Sequence, residues 1–453
     1  MVKEGALSSK TSRSPVASVL RVTSGNFLEM YDFMIFGYYA TYIAKTFFPA
    51  SSEFASLMLA LATFGSGFLM RPLGAILLGG YTDRHGRRLG LLLTLSLMAC
   101  GTLSIACTPG YARIGAAAPL LVLAGRLLQG LSAGAELGGV SVYLSEIAPP
   151  NRKGLYVSWQ SASQQVAVIF AAVLGIILVS RLSSEQMRSW GWRVPLWIGC
   201  AVIPFLFWIR NSLAETHEFA ARRHHPAAKE ILASVARNWR IVGVATMLTT
   251  LTTTTFYLIT AYTPTYGATT LHLSRTNAFL VTLCVGICNF TFLPVMGGLS
   301  DRVGRRPLLW TFTIAALITA YPAMLWLVAN PTFGRLLTVQ LWFAVIFASY
   351  NGAMVVYLTE IMPAKVRATG FSLAYSTATA LFGGFTPFVC TYLIHRTGNK
   401  AMPGAWLASA ATLALIAVAL TYHGGTLLNR EQMNSQTTIA PSGSELMGAK
   451  QAT

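Results

Sequence analysis

Five charged side chains lie inside long apolar stretches of this sequence. They are Glu29, Asp32, Arg71, Arg126 and Glu136. At the centre of a membrane helix each charge costs about 2.5–3.5 kcal/mol on insertion scales, so a partner or a ligand must offset it. A guanidinium binds a carboxylate through two parallel hydrogen bonds, and a buried carboxyl exchanges protons with its surroundings. The five residues therefore predict a site that binds carboxylates and exchanges protons.

We assign the two arginines to substrate carboxylates, because a guanidinium is a planar fork that keeps its charge. Asp32 is the leading candidate for proton coupling, followed by Glu29 and Glu136. Glu29 and Asp32 are three residues apart, on one face of a helix. A carboxyl that substrate releases from an arginine takes up a proton more readily, which would link binding to proton uptake. The alternative for each residue is a fixed ion pair that only orders the helices.

An internal repeat shows how these residues are organised. Gly79–Arg88, GGYTDRHGRR, recurs as Gly297–Arg306, GGLSDRVGRR, after a shift of 218 positions. Tyr143–Pro149, YLSEIAP, recurs as Tyr357–Pro363, YLTEIMP, after 214 positions. Two near-equal shifts in the same order indicate a duplicated membrane protein with a polar, basic turn in each half.

Neutral polar residues are expected to complete the substrate site. The candidates are Gln160, Gln164, Tyr257, Asn289 and Asn351. By the repeat offsets, Arg71 corresponds to Asn289 and Arg126 corresponds to Gln340. We therefore expect the ionic chemistry in the N-terminal half and neutral contacts in the C-terminal half. Ordinary hydrogen bonding between helices is the alternative role for each neutral residue.

The composition is that of a membrane protein. The chain is 54% hydrophobic and 11% charged, whereas soluble domains are about 25% charged. Twelve segments are long enough to span a bilayer: 22–46, 54–80, 89–108, 118–147, 156–180, 193–212, 241–266, 277–299, 307–329, 334–361, 369–394 and 403–423. Helices are expected, because lipid offers no partner to an unpaired backbone group. The predicted fold is all-α and polytopic, with two six-helix halves.

This pattern divides the chain into five regions. They are a tail at 1–21, a six-helix bundle at 22–212, a central loop at 213–240, a second bundle at 241–423 and a disordered tail at 424–453. The net charge of +18 suggests nucleic acid at first, but most Lys and Arg lie in loops on the side of the N-terminus. The opposite loops hold Lys45, Arg113, Arg181, Arg188, Arg193, Arg275, Arg335, Arg396 and Lys400. This asymmetry predicts a membrane protein with both termini in the cytoplasm, and no nucleic-acid partner.

Several stretches carry a resemblance to a known family. Two six-helix halves, each with a Gly-x-x-x-Asp-Arg-x-Gly-Arg-Arg motif, resemble the major facilitator superfamily. Glu29–Phe33, Arg71–Gly74 and Arg126–Gly130 are similar to its metabolite:proton symporters. Resemblance to the citrate–proton symporters rests on Arg21–Glu29, Ser158–Gln165, Thr252–Tyr257 and Tyr262–Gly267. Tricarballylate carriers are very similar, so the acid itself stays open.

The repeated loop motifs are expected to latch helix ends together and to open during transport. The gating residues are Asp83, Arg87, Arg88, Glu146, Asp301, Arg305, Arg306 and Glu360. We expect Glu146 to pair with Arg152 or Lys153, and Glu360 to pair with Arg367. None of these residues is expected to contact substrate.

The resemblance implies a proton-coupled symporter for citrate or a close tricarboxylate, in a bacterial cytoplasmic membrane. Tricarballylate, a dicarboxylate, 2-oxoglutarate or, less favoured, a zwitterionic osmolyte are the alternatives. We expect no enzymatic activity, since no His-x-x-x-His or Gly-x-Ser-x-Gly arrangement stands at the end of a span. We also expect no cofactor besides the coupling proton, no metal site, and function as a monomer in the lipid bilayer.

Overall fold

Helices form almost all of the described chain, as expected for apolar segments long enough to span a bilayer. The computed structural model describes residues 26–85, 87–134, 137–211, 233, 236–363 and 367–423, and none of these residues lies in a strand. The prediction of an all-α fold with twelve membrane helices is confirmed. The two predicted tails and most of the predicted central loop lie outside the described residues.

The N-terminal half consists of six helices, which we label α1 to α6. Their bounds are Asn26–Tyr38 with Ala40–Phe47 for α1, Glu53–Leu69 with Arg71–His85 for α2, Arg87–Cys107 for α3, Ala117–Ala133 with Leu137–Ile147 for α4, Lys153–Arg181 for α5 and Val194–Asn211 for α6. The sequence does not predict the interruption of α1 at Tyr39 or that of α2 at Met70. Hydropathy reports composition, whereas these breaks are changes of backbone geometry.

The C-terminal half consists of α7 to α12. Their bounds are Trp239–Tyr257, Leu258–Tyr262 and Thr263–Thr269 for α7, Arg275–Val303 for α8, Arg305–Ala329 for α9, Phe333–Ile361 for α10, Arg367–Ala378, Thr379–Gly383 and Thr386–Thr397 for α11, and Met402–His423 for α12. The middle segments of α7 and α11 are π-helical turns. Such turns are frequent at functional sites, because they widen a helix locally.

Length and hydropathy agree with a membrane location. Nine helices of the described chain are long and apolar enough to cross a bilayer. Two shorter apolar helices, Ala117–Ala133 and Gly191–Phe205, correspond to α4 and α6. Most of the hydrophobic part of α7 and α10 is buried within the protein, whereas that of α9 is mostly exposed. Helices α7 and α10 therefore belong to the protein interior, and α9 has the apolar surface that faces lipid.

The repeated motif forms a shorter turn than predicted. In the second copy, α8 runs to Val303 and α9 begins at Arg305, so that Gly304 alone separates the two helices. Gly304 has φ +96°, a backbone conformation that residues with a Cβ rarely adopt. In the first copy, α2 runs to His85 and α3 begins at Arg87. Most of the described residues of the motif are therefore helical, and in the second copy Gly304 makes the sharp turn.

The two halves pack along two long seams. Helix α5 lies against α8, and α2 and α4 lie against α11. These contacts join helices of different halves, so a rearrangement between the halves must open one seam or both. The candidate site lies between them, on α1, α2 and α4 of the N-terminal half and α7 of the C-terminal half.

Candidate functional site

Arg71 begins the second segment of α2, one residue before Pro72. Its side chain is 2% exposed, and its Nη2 donates a hydrogen bond to Glu29 Oε1 at 2.9 Å. The guanidinium carbon lies 4.7 Å from the ring centre of Phe33 and 4.8 Å from that of Phe68. Nε has no hydrogen-bond partner among the described atoms. Arg71 is thus a buried cation with one carboxylate partner and a spare donor.

Arg126 on α4 is held in a similar aromatic environment. Its guanidinium carbon lies 4.5 Å from the ring centre of Phe33, 4.6 Å from that of Phe36 and 5.2 Å from that of Phe64. Nη1 donates to Gln129 Oε1 at 2.8 Å, and Nη2 donates to the Phe64 carbonyl at 3.4 Å. Nε has no partner in the described chain. The Phe33 ring is therefore shared by both arginines.

The aromatic rings stabilise both cations without using their N–H donors. An aromatic face attracts a cation electrostatically, while the edge of the guanidinium keeps its donors for hydrogen bonds. The two arginines are also close enough for their charges to repel. Among the described residues, Glu29 is the only carboxylate within ion-pair distance of either guanidinium. Arg126 therefore has no direct carboxylate partner in the described chain.

Asp32 occupies a separate buried position on α1, and a single amide connects it to Arg126. The Thr102 hydroxyl donates a hydrogen bond to Asp32 Oδ2. Gln129 Nε2 donates to the same oxygen at 3.4 Å and to Thr102 Oγ1 at 3.1 Å, while Gln129 Oε1 accepts from Arg126. Asp32 Oδ1 has no partner among the described atoms and faces Gly199 of α6. Asp32 and Arg126 are therefore linked through Gln129.

Two glycines of α4 explain why the arginines come together. A Cβ at Gly130 would overlap the Gly67 carbonyl oxygen, and a Cβ at Gly134 would overlap the Arg71 carbonyl oxygen. Helices α2 and α4 therefore pack backbone against backbone, an arrangement that small residues permit in membrane proteins. Because of this contact, Arg71 and Arg126 lie at the same depth in the bundle, where both pack on Phe33.

Tyr257 brings the C-terminal half into the site. It is buried at the end of the first segment of α7, and its ring packs edge-on against Phe68 at 5.0 Å between ring centres. Phe68 also packs on Arg71, and Phe64 on Arg126, so Tyr257 contacts the aromatic rings that surround both guanidinium groups. The structure thus places Tyr257 beside the arginines, as its predicted role in substrate contact requires.

The predicted amide residues are buried, and three of them form local pairs. Gln160 accepts from Ser161 at 2.9 Å, Asn351 accepts from Thr252 at 2.8 Å, and Asn289 donates to Gln165 at 3.4 Å. Gln164 is buried on the same helix as Gln160. Asn289 Oδ1 and Asn351 Nδ2 have no partner in the described chain. None of these hydrogen bonds involves Arg71 or Arg126, and Asn289 keeps an acceptor and Asn351 a donor available.

The second copy of the repeated motif forms a latch across the halves. Asp301 Oδ1 and Oδ2 accept hydrogen bonds from the backbone amides of Gly154 and Leu155, at 2.8 and 3.0 Å. Arg305 bridges Asp301 at 2.8 Å and Glu360 at 3.1 Å. A carboxylate at a helix N-terminus satisfies free amides and the helix dipole. Asp301, at the end of α8, thus caps α5 of the other half.

The remaining predictions for the latch have mixed outcomes. The expected pair of Glu360 with Arg367 is wrong. Glu360 instead forms its ion pair with Arg305, and Arg367 Nε donates to the Met362 carbonyl at 3.4 Å. Glu146 and Arg306 are exposed and form no ion pair with the part of the chain that the structure describes. The expected partners of Glu146, Arg152 and Lys153, therefore do not bind it here. The structure does not describe the side chains of three further predicted residues, Asp83, Arg87 and Arg88. Glu136 lies outside the described residues altogether.

The opposite end of the molecule is also closed by contacts between the halves. Arg275 Nη2 donates to Thr41 Oγ1 at 3.1 Å, and His395 stacks on Phe54 with ring centres 3.7 Å apart. Together with the Asp301 latch, these contacts hold the two halves at both ends. The central arginines are therefore enclosed in this conformation.

The comparison with known proteins decides the family. The model of the Major Facilitator Superfamily matches residues 22–387. The chain belongs to the major facilitator superfamily. It is 59% identical to a citrate-proton symporter of Salmonella typhi, over 89% of this chain and 93% of that protein. It is 58% identical to a citrate-proton symporter of Klebsiella pneumoniae, over 90% and 92%.

Solved structures of the superfamily have the same fold. A proton:xylose symporter bound to 6-bromo-6-deoxy-D-glucose superposes with a TM-score of 0.72, covering 90% of this chain and 95% of the other. Sequence identity is 18%, so this likeness concerns the fold alone. The superfamily fold accounts for the two helical halves and for the seams between them.

Two parts of the site were missed by the sequence interpretation. Gln129 and Thr102 connect Asp32 to Arg126, and four phenylalanines surround the guanidinium groups. Gln129 follows Arg126 by three residues on one helix face, which is a usable signal. Thr102 had no such signal, because its role depends on how α3 packs against α1.

Proposed function

We propose that this protein is a proton-coupled symporter that imports citrate or a close tricarboxylate across the bacterial cytoplasmic membrane. The observation that carries the proposal is the pair of buried arginines, held by aromatic rings and with guanidinium donors to spare. The relatives named above support citrate, since their names include that substrate. The acid is transported without chemical change. The two halves rearrange so that the site is open to one side of the membrane and then to the other.

Substrate binding begins with the arginines. Two carboxylates of citrate take hydrogen bonds from Arg71 and Arg126, and Tyr257 closes the site from the C-terminal half. The third carboxylate and the hydroxyl of citrate bind neutral amides among Gln160, Gln164, Asn289 and Asn351. Glu29 offsets one of the two guanidinium charges, and protonation of Asp32 leaves the other without a counter-charge, so a dianion or trianion suits the site better than a zwitterion.

Proton coupling follows from the link between Arg126 and Asp32. We place the transported proton on Asp32 Oδ1, the oxygen without a protein partner. When citrate engages Arg126, that guanidinium stabilises the ionised Asp32 less, so Asp32 binds a proton. Gln129 transmits this change, because it contacts both groups. Glu29 responds in the same way to Arg71, and Glu136 is a further candidate for this role.

The gating residues and the membrane orientation complete the proposal. Asp301, Arg305 and Glu360 hold one end closed, and release of the α5 amides opens it. Asp83, Arg87 and Arg88 are gating candidates at the equivalent positions of the first motif, and Glu146 and Arg306 are further gating candidates. The basic loops near these motifs face the cytoplasm together with both termini, and a single chain carries both halves of the transport path.

Radiolabelled citrate uptake into proteoliposomes tests the proposal. An inward proton gradient is imposed with and without a protonophore, and unlabelled tricarballylate, succinate, 2-oxoglutarate and betaine compete. We expect accumulation that the protonophore abolishes and that tricarballylate inhibits best. Gradient-driven uptake of another acid but not of citrate would contradict the proposed substrate. Citrate accumulation that ignores the protonophore would contradict proton coupling.

A further inference from the structure

A cavity lies at the end of the molecule opposite the basic loops, and neither Arg71 nor Arg126 lines it. Its volume is about 170 Å³, and it opens between the end of α1, the end of α5 and the start of α8. Its polar lining consists of Thr41, Tyr42, Lys45, Ser184, Arg188 and Arg275. This volume is below the range of sites for drug-sized ligands, so it suits a small polar molecule.

Three cations from separate elements meet in this cavity. Lys45 lies near the end of α1, Arg188 in the short helix Ser184–Ser189, and Arg275 at the first residue of α8. Lys45 bonds Glu53 at 2.7 Å, but the two side chains are 54% and 84% exposed. An ion pair this exposed contributes little, so an incoming carboxylate can exchange with Glu53. The described chain offers no carboxylate within ion-pair distance of Arg188 or Arg275.

Arg275 is fixed in position with donors to spare. It donates to Thr41 Oγ1 at 3.1 Å, and its guanidinium carbon lies 4.6 Å from the ring centre of Tyr42. Stacking on an aromatic ring orients a guanidinium while leaving its edge open to a carboxylate. Hydroxyl groups of Thr41, Tyr42 and Ser184 add neutral hydrogen-bonding groups around the cations.

The location of these cations is itself unusual. Positive residues are disfavoured in loops on the outer side of a bacterial membrane, and this chain has few there. Three of the few converge on one cavity between the two halves. Lys45 and Arg188 belong to the N-terminal half, whereas Arg275 belongs to the C-terminal half.

We propose that this cavity, which we term the outer cation site, is a second binding site for organic polycarboxylates, where substrate docks before it reaches Arg71 and Arg126. The proposal rests on the proposed function, since it assumes an anionic substrate that arrives from this side. A cationic mouth raises the local concentration of anions and speeds their capture, and salt screens the effect.

The test compares citrate uptake by wild type with that of a Lys45→Gln/Arg188→Gln double variant in proteoliposomes, at low and at high ionic strength. We expect KM to rise about three- to tenfold at low ionic strength, as electrostatic capture is lost, with kcat unchanged. The difference should shrink at high ionic strength. The matched control is Arg113→Gln/Arg396→Gln, which removes two cations of the same face outside the cavity. Equal KM in both double variants would overturn the outer cation site.

Equilibrium dialysis separates this proposal from the proposed function. Radiolabelled citrate is dialysed against the purified Arg71→Lys variant, in which the central site is weakened, and against the same variant with Lys45→Gln/Arg188→Gln. Weak binding to the first that disappears in the second supports the outer cation site, even if wild type accumulates no citrate. Binding that is unchanged, or absent from both, overturns it. A wild type that accumulates no citrate contradicts the proposed function separately.

Discussion

The two halves of this molecule are repeats of one another, yet they differ most where the site lies. Arg71 and Arg126 of the N-terminal half are buried cations, and the equivalent Asn289 and Gln340 are buried neutral amides. At the basic end, the second copy of the repeated motif forms a latch from Asp301 to α5. The two repeats thus share a helical fold, whereas the buried charges of the described chain lie in the N-terminal half. We infer that one half holds substrate and proton, and the other closes over them.

The largest expected effect comes from the buried carboxyl of the N-terminal half. Asp32→Asn should abolish citrate accumulation driven by a proton gradient, because an amide cannot bind and release the proton. Exchange of internal for external citrate, measured in the same proteoliposomes, should persist. Asp301→Asn is the matched control, since it removes a carboxylate of the C-terminal half and should keep accumulation dependent on the gradient. Normal accumulation by Asp32→Asn would contradict the proposal that the N-terminal half carries the coupling proton.

A substitution pair at equivalent positions compares the two halves directly. Arg71→Lys should raise the Kd for citrate about 30-fold or more, because a point charge replaces a planar fork in a buried pair worth about 2–5 kcal/mol. Asn289→Ala removes a neutral hydrogen bond of about 0.5–1.5 kcal/mol, so its effect should stay below about tenfold. Citrate binding to the purified variants measures both. Equal losses would mean that the two halves contribute alike.

Helix packing offers a comparison on stability. Gly134→Ala places a Cβ against the Arg71 carbonyl, and overpacking of this kind costs about 1–3 kcal/mol. The position equivalent to Gly134 is Ala348, which is fully buried, and Ala348→Gly should cost only about 0.5–1 kcal/mol. Thermal unfolding in detergent should therefore show the larger drop in Tm for Gly134→Ala. The reverse order would contradict the close contact of α2 with α4.

The smallest effect is expected at the latch. Asp301→Asn weakens the cap on α5 by about 0.3–2 kcal/mol, the range for a charge at a helix N-terminus. Citrate turnover should fall a few-fold, while KM stays within about twofold, since Asp301 does not touch substrate. The measurement is initial uptake rate against citrate concentration. A large rise in KM with normal turnover would move Asp301 from gating to binding.

The sequence predicted the helices and the charged residues inside them, Glu29, Asp32, Arg71 and Arg126, because both depend on local composition. The length of each apolar segment predicts the helix ends to within a few residues. A charged residue inside such a segment can be recognised from the sequence alone. The contacts of Arg71 with Phe33 and Phe68, and the bridge of Gln129 to Asp32, join residues of different helices. Such contacts depend on rotation and packing of helices, which apolar periodicity does not determine. The same reason explains why Arg305, and not Arg367, pairs with Glu360.

The central claim is that citrate binding is linked to protonation of Asp32. Calorimetric titration of citrate into purified protein, in buffers of different ionisation enthalpy at one pH, counts the protons exchanged on binding. We predict that wild type takes up protons with citrate, and that Asp32→Asn binds citrate with a clearly smaller proton count. The same proton count in both proteins would contradict the claim.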